Sequence, residues 1–174
     1  MLLFKFIGIL CVLAGTTGLG ISICEEIKGR VQCLKEERTM LELLKNEVKY
    51  NNASLEEACK SVSGKLEGIF LNLLLAVEEN CVLWSGKRFS DNWVLGVCKI
   101  EDKLLMKKEE KEALKKLFGI GGFADVSMQQ RIIEAAIEEL NRSIESAEAE
   151  KKNRCKVSLC VCVMSGILCT IVCI

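Results

Sequence analysis

The sequence contains no histidine and no proline, only 5% of its residues are aromatic, and its 24 basic side chains cancel its 24 acidic ones. Without histidine it has neither the commonest general base near neutral pH nor the commonest metal ligand. Ser-His-Asp, Cys-His and HExxH chemistry are thereby excluded. Without proline, the strongest helix breaker, long helices can run uninterrupted. An all-β fold would use turn prolines and more aromatic and β-branched residues. A formal net charge of zero argues against a nucleic-acid binder, which carries a basic excess. The 174 residues suffice for one domain with appended segments.

The balance conceals a division along the chain. Lys5 is the only charged side chain outside the stretch from Glu25 to Lys156. Phe6 to Cys24 is 19 residues without a charge, and Val157 to Ile174 is another 18. As helix, each spans roughly 27–29 Å, close to the thickness of a bilayer's hydrocarbon core. The pattern predicts an N-terminal transmembrane helix within 1–24, a charged domain over 25–156 and a C-terminal transmembrane helix over 157–174. A cleaved signal peptide fits the first segment poorly, because no A-x-A site precedes Glu25 and Ile21-Ser22-Ile23 is no lipoprotein signal before Cys24. Lys28, Arg30, Lys35 and Arg38 follow the first segment, and Arg142, Lys151, Lys152, Arg154 and Lys156 precede the second. Basic residues near membrane ends favour the cytoplasmic side, so the charged domain is expected in the cytoplasm and both termini across the membrane.

Eleven cysteines invite a disulfide or metal framework, but their placement does not suit one. Cys11, Cys160, Cys162, Cys169 and Cys173 lie within the uncharged segments and Cys24 and Cys155 at their ends, where cysteine serves as a small apolar residue. No second pair and no histidine completes a zinc set around Cys160 and Cys162. No metal or cofactor is expected. Cys169 and Cys173 would face the exterior, where oxidation depends on the compartment.

The charged domain reads as an all-α bundle. Ile27, Val31, Leu34, Leu41, Leu44 and Val48 recur at steps of three, four and seven and mark one apolar stripe, ended by Asn51 and Asn52. Ser54-Leu-Glu-Glu57 has capping-box spacing and opens a second helix, predicted to carry its apolar face from Leu55 to Val77. Glu78 to Asn92 reads as a loop. A third helix is expected from Ser90 or Asp91, carrying Trp93, Val94, Val97 and Ile100, with a further helix over Asp102 to Leu117. Phe118-Gly119 and Gly121-Gly122 stop it, glycine being the usual left-handed residue after a helix. Asp125 or Ser127 then caps the last helix, whose Ile133, Ile137, Leu140, Ile144 and Ala147 form a coiled-coil-like seam. The first and last helices should pair antiparallel, since both return to one membrane face.

No reaction chemistry stands out. Ser85-Gly86-Lys87 is not a phosphate loop, because Cys81 stands where a Walker motif needs glycine. Phe118 to Gly122 has no preceding strand and reads as a connector. The carboxylates of Glu109-Glu110-Lys111-Glu112 and of Glu134, Glu138 and Glu139 sit among lysines and arginines as solvated helix faces rather than as an acid–base pair in a pocket. Trp93 on an apolar face is assigned to the core. Trp84 beside Lys87 and Arg88 forms a candidate partner-contact tip, since Trp and Arg are enriched at binding hot spots. Neither an enzyme nor a small-molecule binder is indicated; interaction is the expected role.

Order and spacing along nearly the whole chain resemble the stage III sporulation protein AB family. The resemblance rests on the N-terminal anchor, Tyr50-Asn-Asn-Ala-Ser54-Leu-Glu-Glu-Ala58, Trp93, Glu112-x-x-x-x-Leu117-Phe118-Gly119, Gly122, Asp125, Gln129, and the run into the terminal membrane segment. Where the family often carries proline, this chain has Ala53-Ser54. The resemblance implies a component of the channel between mother cell and forespore, seated in the mother-cell membrane around the forespore. It implies a likeness to the inner-membrane platform proteins of type II secretion and type IV pilus machines, whose cytoplasmic bundle docks a companion secretion-type ATPase and passes its motions to other channel components. The alternative is a membrane-tethered helical adaptor or regulator unrelated to sporulation. A compartment reporter fused after Ile174 is expected to read outside the cytoplasm; a cytoplasmic signal overturns the two-span topology.

Overall fold

The apolar stripe of the N-terminal third lies on a single helix, α1 (Leu2–Asn51). A computed structural model describes residues 2–83, 86–119 and 126–173, without most side chains of residues 2–23 and 155–173. Five more helices follow: α2 (Leu55–Ser63), α3 (Ile69–Leu83), α4 (Phe89–Ile100), α5 (Lys108–Lys116) and α6 (Val126–Cys173). Every regular element among the described residues is helical, as the composition implied. Among these residues no helix is long and apolar enough to cross a membrane. The uncharged segments 6–24 and 157–174, including Cys169 and Cys173, have most of their side chains outside the description.

The chain divides into two compact units, one of residues Met1–Val31 with Glu145–Ile174 and one of Gln32–Ile144. The charge boundaries at residues 24 and 156 fall inside the first. There Arg30 donates to Glu150 at 2.8 Å, and Arg154 reaches the other oxygen of the same carboxylate at 3.0 Å. In the second unit Lys45 stands 3.8 Å from Glu134. In this same unit Glu37 of α1 lines a groove with Leu140 and Ser143 of α6, so residue numbers rise along α1 as they fall along α6, the mark of an antiparallel pair. Val31, Leu34, Leu41, Leu44 and Val48 are buried on α1, and Ile133, Leu140, Ile144 and Ala147 on α6.

The turn after α1 follows the asparagines. Asn52 adopts a φ of +48°, a left-handed conformation that asparagine tolerates better than most residues. Ser54 then caps α2: its Oγ accepts the Glu57 N–H at 3.3 Å, and its own N–H donates to the Glu57 carboxylate at 2.9 Å. Glu47 of α1, only 7% exposed, ties the junction together. It accepts from Asn51 Nδ2 at 2.6 Å, from Ser61 Oγ at 2.9 Å and from the Lys65 ammonium.

Three sequence expectations need correction. The apolar face from Leu55 to Val77 is two helices, because α2 ends at Gly64 and the chain turns at Gly68, whose φ is +80°. Helix glycines each cost about 1 kcal/mol relative to alanine, so a pair four residues apart weakens the helix where a turn is needed. The expected loop from Glu78 to Asn92 is largely helix: α3 continues to Leu83 and α4 begins at Phe89. Two polar side chains within the stretch join the helices. Asn80 Nδ2 donates to the Asn92 carbonyl at 3.3 Å, and Asn92 Nδ2 to Cys81 Sγ at 3.5 Å. The helix expected from Asp102 begins only at Lys108, after a 3-10 turn (Glu101–Lys103) and an extended Leu104 that is 3% exposed. Burying Leu104 takes the chain out of helix, and Lys107 restarts it by donating its N–H to Glu110 at 2.8 Å. Helix α6 begins at Val126, which places Ser127 inside its first turn; Asp125, the other cap the sequence offers, lies outside the described residues.

Helices α3 and α4 approach closely at Gly96. A Cβ there would lie 2.6 Å from Val77 Cγ2 and 3.4 Å from Val77 N, closer than packed atoms tolerate. Gly96→Ala is therefore expected to cost about 1–3 kcal/mol through overpacking, read as a lower denaturation midpoint. Gly86→Ala, with nothing within 4 Å of the new methyl, should leave the midpoint nearly unchanged. Equal effects at the two positions would contradict the close approach.

Candidate functional site

The tip proposed from sequence falls in the turn between α3 and α4. Lys87 and Arg88 are exposed there, with Arg88 the residue before the first turn of α4. Trp84 and Ser85 lie outside the described residues, so the constellation is placed only in part. Val82 and Leu83, at the end of α3, are 76% and 65% exposed beside it.

A second site is assembled around α5. Trp93 is fully buried, as its apolar face implied, and its indole Nε1 donates to the Leu114 carbonyl at 2.8 Å. Phe118 packs edge-on against Trp93 with ring centroids 4.7 Å apart, and Phe89 stands 5.4 Å from Phe118. Such edge-to-face pairs add about 0.5–1.5 kcal/mol each beyond the area they bury. This cluster fixes a nine-residue helix that is charged at most of its positions and buries only Leu114. Lys115 adds an outer tie, donating to Glu101 at 2.9 Å and Glu112 at 3.2 Å. These carboxylates hold the Lys115 ammonium above its ordinary pKa, Glu101 contributing most, while Lys115 holds Glu101 below its own.

With α5 fixed, it and α6 bound a groove of about 890 Å³. The apolar lining includes Leu117 on α5 and Ile132, Ala135, Ala136 and Leu140 on α6. Glu109, Glu110 and Glu112 line it from α5 and Glu139 from α6, with Lys108 and Lys116 at the two ends of α5. One further carboxyl, Glu37, reaches it from α1 and is only 6% exposed.

Glu37 is the residue that sequence reasoning missed. The signal was present: the stripe on α1 steps seven from Leu34 to Leu41, and the position it passes over, three from one and four from the other, is Glu37. Among the described residues no donor pairs with this carboxyl. Burial, and then the negative charge of Glu110, push its pKa from the ordinary 4.5 up to about 8. Cys33, one turn earlier, is pushed up to about 11, chiefly by burial, which keeps the thiol from forming the reactive thiolate. Glu47 on the same helix behaves oppositely, drawn down to about 2 by hydrogen bonds from Lys65, Asn51 and Ser61. Chemically, the groove presents an uncompensated carboxyl at the end of an apolar trough with acidic walls, a receptor for a cation carried on an apolar body.

These features define an all-helical protein with an acidic-walled groove between α5 and α6. The sequence matches the family described as stage III sporulation protein AB over residues 5–174. It is 26% identical over 152 residues to the stage III sporulation protein AB of Bacillus subtilis (strain 168), covering 87% of this chain and 88% of the relative. A solved structure of stage III sporulation protein AB superposes with a TM-score of 0.64 at 25% identity, covering 72% of this chain and 98% of that one. The chain belongs to the stage III sporulation protein AB family.

The two glutamates give separate pH signatures. A carboxyl whose folded pKa is raised stabilises the fold fully below its unfolded pKa, and this contribution disappears as pH rises through the folded value. For Glu37 the window runs from 4.5 to about 8. Glu47, with its lowered pKa, loses its contribution as pH falls from 4.5 towards about 2. Denaturation midpoints are expected to fall between pH 5 and pH 8 in the wild type, and to fall less in Glu37→Gln. Parallel pH profiles for the two proteins would contradict the assignment.

Proposed function

We propose that this protein is a membrane-anchored structural component of the mother cell–forespore channel in endospore formation. In this role it docks a secretion-type ATPase to membrane partners. The observation that carries the reading is the extent of the family match, which begins at residue 5 and ends at residue 174. The sporulation role in the family's name therefore attaches to an architecture that includes both uncharged ends as well as the charged centre. Those ends, 6–24 and 157–174, support anchoring by two spans, and the basic residues beside them support a cytoplasmic centre. On this reading the protein sits in the mother-cell membrane surrounding the forespore. Its partners are the bilayer, the companion ATPase and other channel components. The helices act as scaffold, and no catalytic role is assigned. Family membership speaks against an adaptor unrelated to sporulation.

The test is co-expression of the full-length chain with the companion secretion-type ATPase, followed by purification through a tag on either one. Co-elution is expected. Separate elution of an ATPase and a chain with an intact helical spectrum would overturn docking.

A further inference from the structure

We propose that the groove between α5 and α6 is a docking site for a basic amphipathic helix of a partner protein, one of whose arginines or lysines pairs with Glu37. The inference rests on the scaffold reading only in taking a protein as the occupant.

Three observations carry it. Glu37 is 6% exposed, lines the groove and has no donor among the described residues, although buried carboxyls are ordinarily paired or hydrogen-bonded. Its nearest charged influence is another carboxylate, Glu110, which opposes ionisation instead of compensating it. A cationic side chain entering the groove supplies the missing counter-charge. The walls extend the same preference: Glu109 and Glu112 on one side and Glu139 on the other face the groove, while Lys108 and Lys116 stand only at the ends of α5. Charge complementarity thus selects a basic occupant and rejects an anionic one.

The remaining lining selects the shape. The trough runs between two helices, and Ala135 and Ala136 keep the α6 wall low. Its apolar residues suit the apolar face of a helix, with anchors spaced by three and four, as in helix-in-groove recognition. An extended segment would leave backbone N–H and C=O groups unpaired against this apolar wall. A helix brings its own backbone already satisfied.

The experiment uses the full-length chain in non-ionic detergent. The probe is a fluorescein-labelled helical peptide of about five turns with one leucine face and one arginine face. A counterpart carries glutamate in place of arginine, and detergent alone serves as blank. Anisotropy is expected to report binding of the arginine peptide and not of its counterpart. Glu37→Gln, which replaces a buried carboxyl held towards its neutral form with a neutral side chain of the same shape and should fold as well, is expected to weaken binding about tenfold or more. Ala136→Leu, which fills the trough while leaving Glu37 in place, should weaken it as well. Glu67→Gln, at an exposed carboxylate on the turn between α2 and α3, should bind like wild type.

Equal affinity of wild type and Glu37→Gln overturns the proposal, as does equal binding of the two peptides. An equal loss in Glu67→Gln reduces the effect to general charge and also overturns it. If instead sedimentation shows a dimer that Ala136→Leu converts to monomer, the occupant is a second copy of this chain and the proposal fails in that form. ATPase co-elution is measured on the wild-type pair, so either result can fail without the other.

Discussion

The indole of Trp93 donates its N–H to the Leu114 carbonyl at 2.8 Å, at a place fully withdrawn from solvent, with Phe89 and Phe118 packed around it. Helix α5 depends on this bond more than on itself. Nine residues are too few to hold a helix in water, and Leu114 is the only one of them that is buried. Tertiary anchoring therefore decides where its remaining side chains point. Because Leu114 is held in place, Glu109, Glu110 and Glu112 are held with it, and the groove that all four line exists as a consequence of a core contact.

Glu37 and Glu47 show how far environment governs one residue type on one helix. Both are nearly closed to solvent, at 6% and 7% exposure. Glu47 collects an ammonium, an amide and a hydroxyl and is held ionised. Glu37 collects nothing from the described residues, faces Glu110 and is held towards its neutral form. The first arrangement is finished within the chain and secures the junction of α1 with α2. The second is compensated only by a group from outside, which is why one belongs to the fold and the other to recognition.

Long-period patterns in the sequence translated well into structure. The stripes on α1 and α6, the Ser54–Glu57 capping box and the burial of Trp93 all follow from spacing along single helices, where each residue's environment is set by its own periodicity. The breaks did not translate. Gly64 and Gly68 interrupt an apolar face that continues unbroken in the sequence, because the face turns a corner with the chain. Asn80 and Asn92 gave no sign of their pairing, since no local rule reveals that each helix offers the other a polar partner. The groove escaped for the same reason: it combines α1, α5 and α6, and of its residues only Glu37 carries a local mark.

The approach of α3 to α4 at Gly96 has a consequence for how this family varies. The space beside the Gly96 Cα is occupied by Val77 Cγ2, 2.6 Å from where a methyl would stand. Positions 77 and 96 therefore share a single volume. A homologue with alanine at the second position must surrender a methyl at the first or separate the helices. Separating them would stretch the Asn80–Asn92 link that spans the same interface. Sequence drift at these two positions is therefore expected to be correlated.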